Sequence, residues 1–182
     1  MNPPDLLRRN RVILCHFDDY SHALLFPRWE HGMLWPQALP EGAEPTPAPT
    51  DEPPGHDAEA VKQALVQATQ LNPNELEITP DFNAWFQTPE GPLRVHLLRF
   101  TTFDAPKPTI TALGGSFKAM SELRRSGAMA ELLLLREAFG VVAGGRSLPK
   151  VGTRPHLRIP LGKHLTQATR LWRPAGDRAC RR

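Results

Sequence analysis

The run LRVHLLRFTTF at 93–103 constrains this chain more than any other stretch. Side chains alternate across a strand, so Val95 and Leu97 share one face while Leu98 and Phe100 share the other. With apolar groups on both faces, the segment has to lie inside a sheet with a layer packed on each side. A lone hairpin would leave half of these residues in water, at a cost of roughly 1.5–3 kcal/mol for each large side chain. Just upstream, Phe82, Ala84 and Phe86 alternate with Asn83, Trp85 and Gln87. Thr88-Pro89-Glu90-Gly91 then supplies the Pro and Gly that a type I turn prefers. The two runs are therefore expected to pair antiparallel.

A second hairpin is expected at 11–26, RVILCHFDDYSHALLF, where apolar residues flank an Asp-Asp-Tyr-Ser turn whose carboxylates can accept from their own backbone. The loop at 27–36 holds Trp29, Met33 and Trp35 as a cover for the core, and its prolines keep it out of a central strand. Helical spacing appears twice. Val61, Ala64, Leu65, Ala68 and Leu71 recur on one face behind Asp57, a good N-cap, which predicts a helix over 57–71. Ala128, Leu132, Leu135, Phe139 and Val142 do the same over 128–142, ended by Gly144-Gly145. Leu133 and Leu134 widen that stripe, so this helix should be buried over most of its circumference. A shorter helix is expected behind Ser121.

The fold class that follows is α+β, a small antiparallel sheet from the two hairpins covered by two helices. Residues 36–54 carry seven prolines in nineteen positions and read as an extended linker or long surface loop. The chain thus divides into an N-terminal hairpin and tryptophan loop (1–35), a proline-rich linker (36–56), an α+β core (57–145) and a basic, mostly irregular tail (146–182). The first and third belong to one domain, and 182 residues suffice for one with a real core.

The net charge of +3 conceals an asymmetry. Residues 146–182 hold ten of the 22 Lys and Arg but only Asp177 of the 19 acids, a net +9, while the remainder nets −6. Such a tail, with Arg170, Trp172 and Arg173, can neutralise phosphates and stack a base, or lie against an acidic surface. No stretch approaches the roughly 20 apolar residues that cross a bilayer. The apolar run at 12–15 is too short for a signal core, and Cys15 and Cys180 lack disulfide or zinc spacing. A cytoplasmic protein with reduced thiols and no membrane contact is expected.

Motifs that would carry chemistry are sparse. Gly127, Glu131 and the Arg136-Glu137 pair resemble in order the signature helix of the Nudix hydrolases. The spacing departs from that family, since Glu131 follows Gly127 by four residues and Arg136 follows Glu131 by five. Gly140 and Val141 stand where its metal-binding glutamates would fall. At about 100° per residue, Glu131 and Glu137 also lie roughly 120° apart around the helix, so they cannot share an ion. The 15–31 stretch gathers His16, Asp18 and His31 as a three-ligand metal or acid/base candidate. A two-residue loop at Asp19-Tyr20 would set His16 opposite Ala23 and Phe17 opposite His22, with the two histidines on opposite faces. His96 reads as a hydrogen-bonded core residue, and LGGSFK at 113–118 as a glycine turn. No cofactor loop is found and no cofactor is expected. The function expected is a non-enzymatic binding or accessory protein that contacts a protein partner or itself, with Trp29 and Trp35 as its surface. The alternatives are nucleic-acid association through the tail and a His- or metal-assisted hydrolase.

Overall fold

The computed structural model describes residues 3–125 and 128–144. In chain order the elements are α1 (Pro3–Arg9), β1 (Asn10–Asp18), β2 (Ala23–Arg28), β3 (Leu34–Trp35) and β4 (Glu44–Thr46). Then come α2 (Ala58–Thr69), a short 3-10 turn (Pro73–Glu75), β5 (Leu76–Ile78), β6 (Ala84–Thr88) and β7 (Gly91–Phe100). α3 (Lys107–Ala112), β8 (Ser116–Ala119), α4 (Met120–Leu123) and α5 (Met129–Gly144) complete the described chain.

The two-sided run becomes the middle of the structure. β7 bonds antiparallel to β6 and β5 on one edge and parallel to β1 on the other. Val95 and Leu97 join Ile13, Cys15, Leu134, Leu135 and Ala138 under α5. Leu98 and Phe100 join Val12, Leu14, Val61 and Leu65 under α1, α2 and α3. A layer therefore covers each face, as a strand with no polar side requires.

The sheet is neither small nor antiparallel throughout. Among the described residues the sheet has eight strands, six in the order β4-β6-β7-β1-β2-β8, with β3 added to β1 and β5 to β7. β1 and β7 are parallel from Asn10↔Arg94 to His16↔Phe100. Parallel strands need a long crossover, and here it contains β2, the proline-rich segment, α2 and β6. The physical reason for the pairing lies in β1, whose first seven residues, Asn10 through His16, are all buried. A strand without a wet face cannot sit at an edge, so the two such strands lie side by side.

Residues 36–56 are tied to this body. Leu39 and Ala43 pack against the core beneath α5, and Glu44–Thr46 pairs with β6 as an edge strand whose proline discourages further pairing. Its far end is held by Arg94, which donates to Glu52 Oε1 at 2.6 Å and to His56 O at 3.0 Å and lies over the Trp85 ring. α2 begins where its cap predicts, with Asp57 accepting from the Ala60 N–H at 2.8 Å. α4 begins at Met120 rather than behind Ser121, because 116–119 forms β8 on β2.

α5 is buried on a different face from the one its spacing suggests. Glu131, Leu134, Leu135, Ala138 and Val142 face inward, while Phe139 and Leu133 are exposed. Four consecutive leucines spread around the helix, so periodicity alone does not choose among them. Ala138 is fully buried in the core cluster beneath the helix. Glu131 adds a polar anchor, its carboxylate accepting from the Met33 N–H at 3.2 Å over Gly32.

Candidate functional site

The β1–β2 turn takes four residues, 19–22, two more than the tightest hairpin. Asp18 accepts from Ser21 Oγ at 2.7 Å and from the Tyr20 N–H at 3.0 Å. The Ser21 bond, seconded by Tyr20, holds its carboxyl below the usual range. His22 takes the left-handed φ of 50° that closes the turn. The register therefore sets His16 opposite Leu25, not Ala23, and Phe17 opposite Leu24.

His16 is buried beside Asp18, and burial lowers its pKa against the opposing pull of Asp18, Asp19 and Asp104. His31 is engaged elsewhere. Its ring stacks on Trp29 at 6.1 Å and its Nε2 donates to Leu34 O at 2.9 Å. Among the described residues no three His, Cys, Asp or Glu gather as metal ligands, so His16, Asp18 and His31 do not form a set. The Cys15 thiol, pushed up to about 12 by burial, is an inert core group.

The tryptophan loop covers the core as its composition suggests, but it does not present an aromatic surface. Trp29 is buried among Leu6, Val12 and Ile110, with Trp35 half-buried against it at 5.3 Å between rings. Gly115 lies under the indole, where a Cβ would meet Trp29 Nε1 at 2.8 Å. Gly115 thus serves close packing beside β8, while Gly114 takes the left-handed φ of 78° that turns the chain into it. Arg170, Trp172 and Arg173 lie outside the described residues.

His96 belongs to a buried polar lock that the sequence did not disclose. Asn10 Nδ2 donates to Leu6 O at 2.7 Å and to Gly55 O at 2.8 Å. Its Oδ1 is thereby fixed as an acceptor, and it takes His96 Nε2 and His56 Nδ1, each at 3.0 Å. Both histidines must donate at those nitrogens, which sets their tautomers. Burial and the neighbouring Arg94 charge push His96 down to about 3 and lower His56 as well, so both rings are neutral at pH 7. The lock joins α1, β1, β7 and the end of the proline-rich segment. Its role is to hold elements together.

The outer face of α5 differs from these packed groups. Met129 and Leu133 are 73% and 52% exposed, and Arg136, Gly140 and Gly144 fall on the same side of the helix. Among the described residues, nothing lies within 4 Å of a Cβ added at Gly140 or Gly144. Phe139, 44% exposed, flanks the stripe, and Glu137 adjoins Arg136. Apolar groups facing water along a helix whose other side is already buried have the chemistry of a contact surface. Sequence reasoning assigned Leu133 and Phe139 to the core, and the signal for two apolar faces was the unbroken Leu132-Leu133-Leu134-Leu135 run. No protein-family model and no curated protein matches this chain.

Proposed function

We propose that this chain is a non-enzymatic binding or accessory protein that acts through protein–protein contacts, and that the outer face of α5 takes a second copy of the chain. The observation that carries the reading is the exposed Met129–Leu133 pair on one stripe with Gly140 and Gly144. Two such helices laid antiparallel about the point between 136 and 137 complement each other. Met129 then falls over Gly144 and Leu133 over Gly140, a large group into a small one. Arg136 of each copy falls beside Glu137 of the other. The contact is isologous, the geometry of a two-fold dimer.

Sedimentation velocity of the full chain over a concentration series tests this. The wild type is expected to populate a dimer, and a Leu133→Glu variant, altered at an exposed position, a monomer whose thermal stability matches that of the wild type at concentrations where both are monomeric. A wild type monomeric at every concentration, or a dimer indifferent to that change, would refute the reading.

A further inference from the structure

A cleft of about 590 Å³ opens where the C-terminal end of α1 meets the β6–β7 turn, on the side of the molecule's parallel pair where β1 and β7 begin. Its size suits a small molecule, for which roughly 300–1,000 Å³ is usual. Arg8, Arg9, Arg11 and Thr88 line it, with Asp5 and Glu90 among the acids there.

Arg11 is the fixed centre. It is 2% exposed, and its Nη1 donates to Leu7 O at 2.9 Å, Asn10 O at 2.9 Å and Arg8 O at 3.2 Å while Nε donates to Ala38 O at 3.1 Å. Every one of these acceptors is a neutral carbonyl. Among the described residues no carboxylate lies within ion-pair distance of Arg11 or Arg9. Burial lowers the Arg11 pKa against the pull of Glu90, which is near enough to favour the charge but does not bond it, and the carbonyls hold the guanidinium in place without cancelling its charge. Arg8 approaches Glu90 at 3.6 Å, but both side chains are mostly exposed and the pair is loosely held. Three guanidinium groups face two carboxylates at this cleft, Asp5 and Glu90, which leaves an excess of positive charge. The guanidinium groups match the three terminal oxygens of a phosphate, to which arginine forks bond in pairs.

We infer that this cleft binds a small phosphate-bearing molecule, with Arg11 as the preset contact, Arg8 and Arg9 closing on the oxyanion, and Asp5 and Glu90 accepting from the ligand's hydroxyl or amino groups. The site is distinct from the α5 surface, and neither depends on the other.

The test is a ¹⁵N amide-shift titration of the full chain with inorganic phosphate, with succinate as the carboxylate control. The variant is Arg8→Gln/Arg9→Gln, changed at two exposed positions so that folding is retained, and Arg11→Lys serves as a second probe of the fixed contact. Saturating shifts confined to residues 8–11 and 88–93, weakened at least 10-fold in the double variant and several-fold in Arg11→Lys, are expected. Succinate should bind more weakly than phosphate. Absence of saturable shifts, phosphate affinity unchanged in the double variant, or succinate binding as tightly as phosphate would overturn the assignment. Unchanged affinity would place the anion on other basic groups, such as the ten of residues 146–182.

Discussion

Acidification should weaken the fold through His96, and replacing that residue by glutamine should remove much of the effect. In the folded chain the imidazole donates Nε2–H to Asn10 Oδ1, is 3% exposed and has its pKa pushed down to about 3. Unfolded, the same ring titrates near its model value of 6.5. Between these values the unfolded chain binds a proton that the folded chain refuses. The stabilisation is therefore complete above pH 6.5 and declines as pH falls toward about 3. At about 1.4 kcal/mol per pKa unit, bringing the pH from 7 to 4.5 costs roughly 2–3 kcal/mol through this group alone. His56 and His16 shift in the same direction, but both remain in the variant, so the difference between the two proteins reports His96. Urea unfolding followed by circular dichroism at pH 7 and pH 4.5 measures it. The wild type should lose about 2 kcal/mol more over that interval than His96→Gln. Equal losses would refute the buried, neutral state of the ring.

Leu135, 1% exposed, and Leu133, 52% exposed, separate the two faces of α5. Leu135→Ala should destabilise by about 2–5 kcal/mol in urea unfolding, and Leu133→Ala, measured at concentrations where the chain is monomeric, by less than about 0.5. Similar costs would mean that the helix is seated in another rotation. Gly32→Ala should be strongly destabilising, by roughly 2 kcal/mol or more, since φ is +124° and the new Cβ would run into Glu131 Oε1. A thermal midpoint within a degree of wild type would disprove that close approach. Asp57→Ala should cost about 1 kcal/mol by removing the acceptor for the Ala60 N–H, and no change would mean that the cap is not made in solution.

Local chemistry was legible wherever one residue pattern had one solution. The 93–103 run had to be central because neither of its faces is polar, and Thr88 through Gly91 closes the hairpin between β6 and β7. Asp57 caps α2 as its side chain dictates. Long-range pairing was harder to read. That β1 and β7 run parallel depends on a crossover of some seventy residues, although the unbroken apolar character of 12–15 was a signal that β1 too is enclosed. The short strands β3, β4, β5 and β8 carry little periodicity of their own and exist because a neighbour presents unpaired backbone groups. His16, Asp18 and His31 are close in sequence, yet the four-residue turn and the stacking of His31 on Trp29 keep the three from forming a ligand set. The Asn10, His56 and His96 lock joins residues far apart in the chain, and no local pattern announces it. The arginine cleft was half visible, because Arg8, Arg9 and Arg11 are neighbours in sequence, but the burial of Arg11 alone among them comes from the fold.

The self-complementarity of α5 is tested most directly by charge reversal across the proposed two-fold. Each dimer would contain two Arg136–Glu137 contacts related by symmetry, worth together about 1 kcal/mol at exposed positions. Sedimentation equilibrium of wild type, Arg136→Glu, Glu137→Arg and the double variant gives the four dimer constants. Both single variants should weaken dimerisation by about 5-fold or more, because each sets like charges together, and the double variant should restore it to near the wild-type value. Four equal constants, or a double variant no better than the singles, would contradict the pairing of α5 with its own copy.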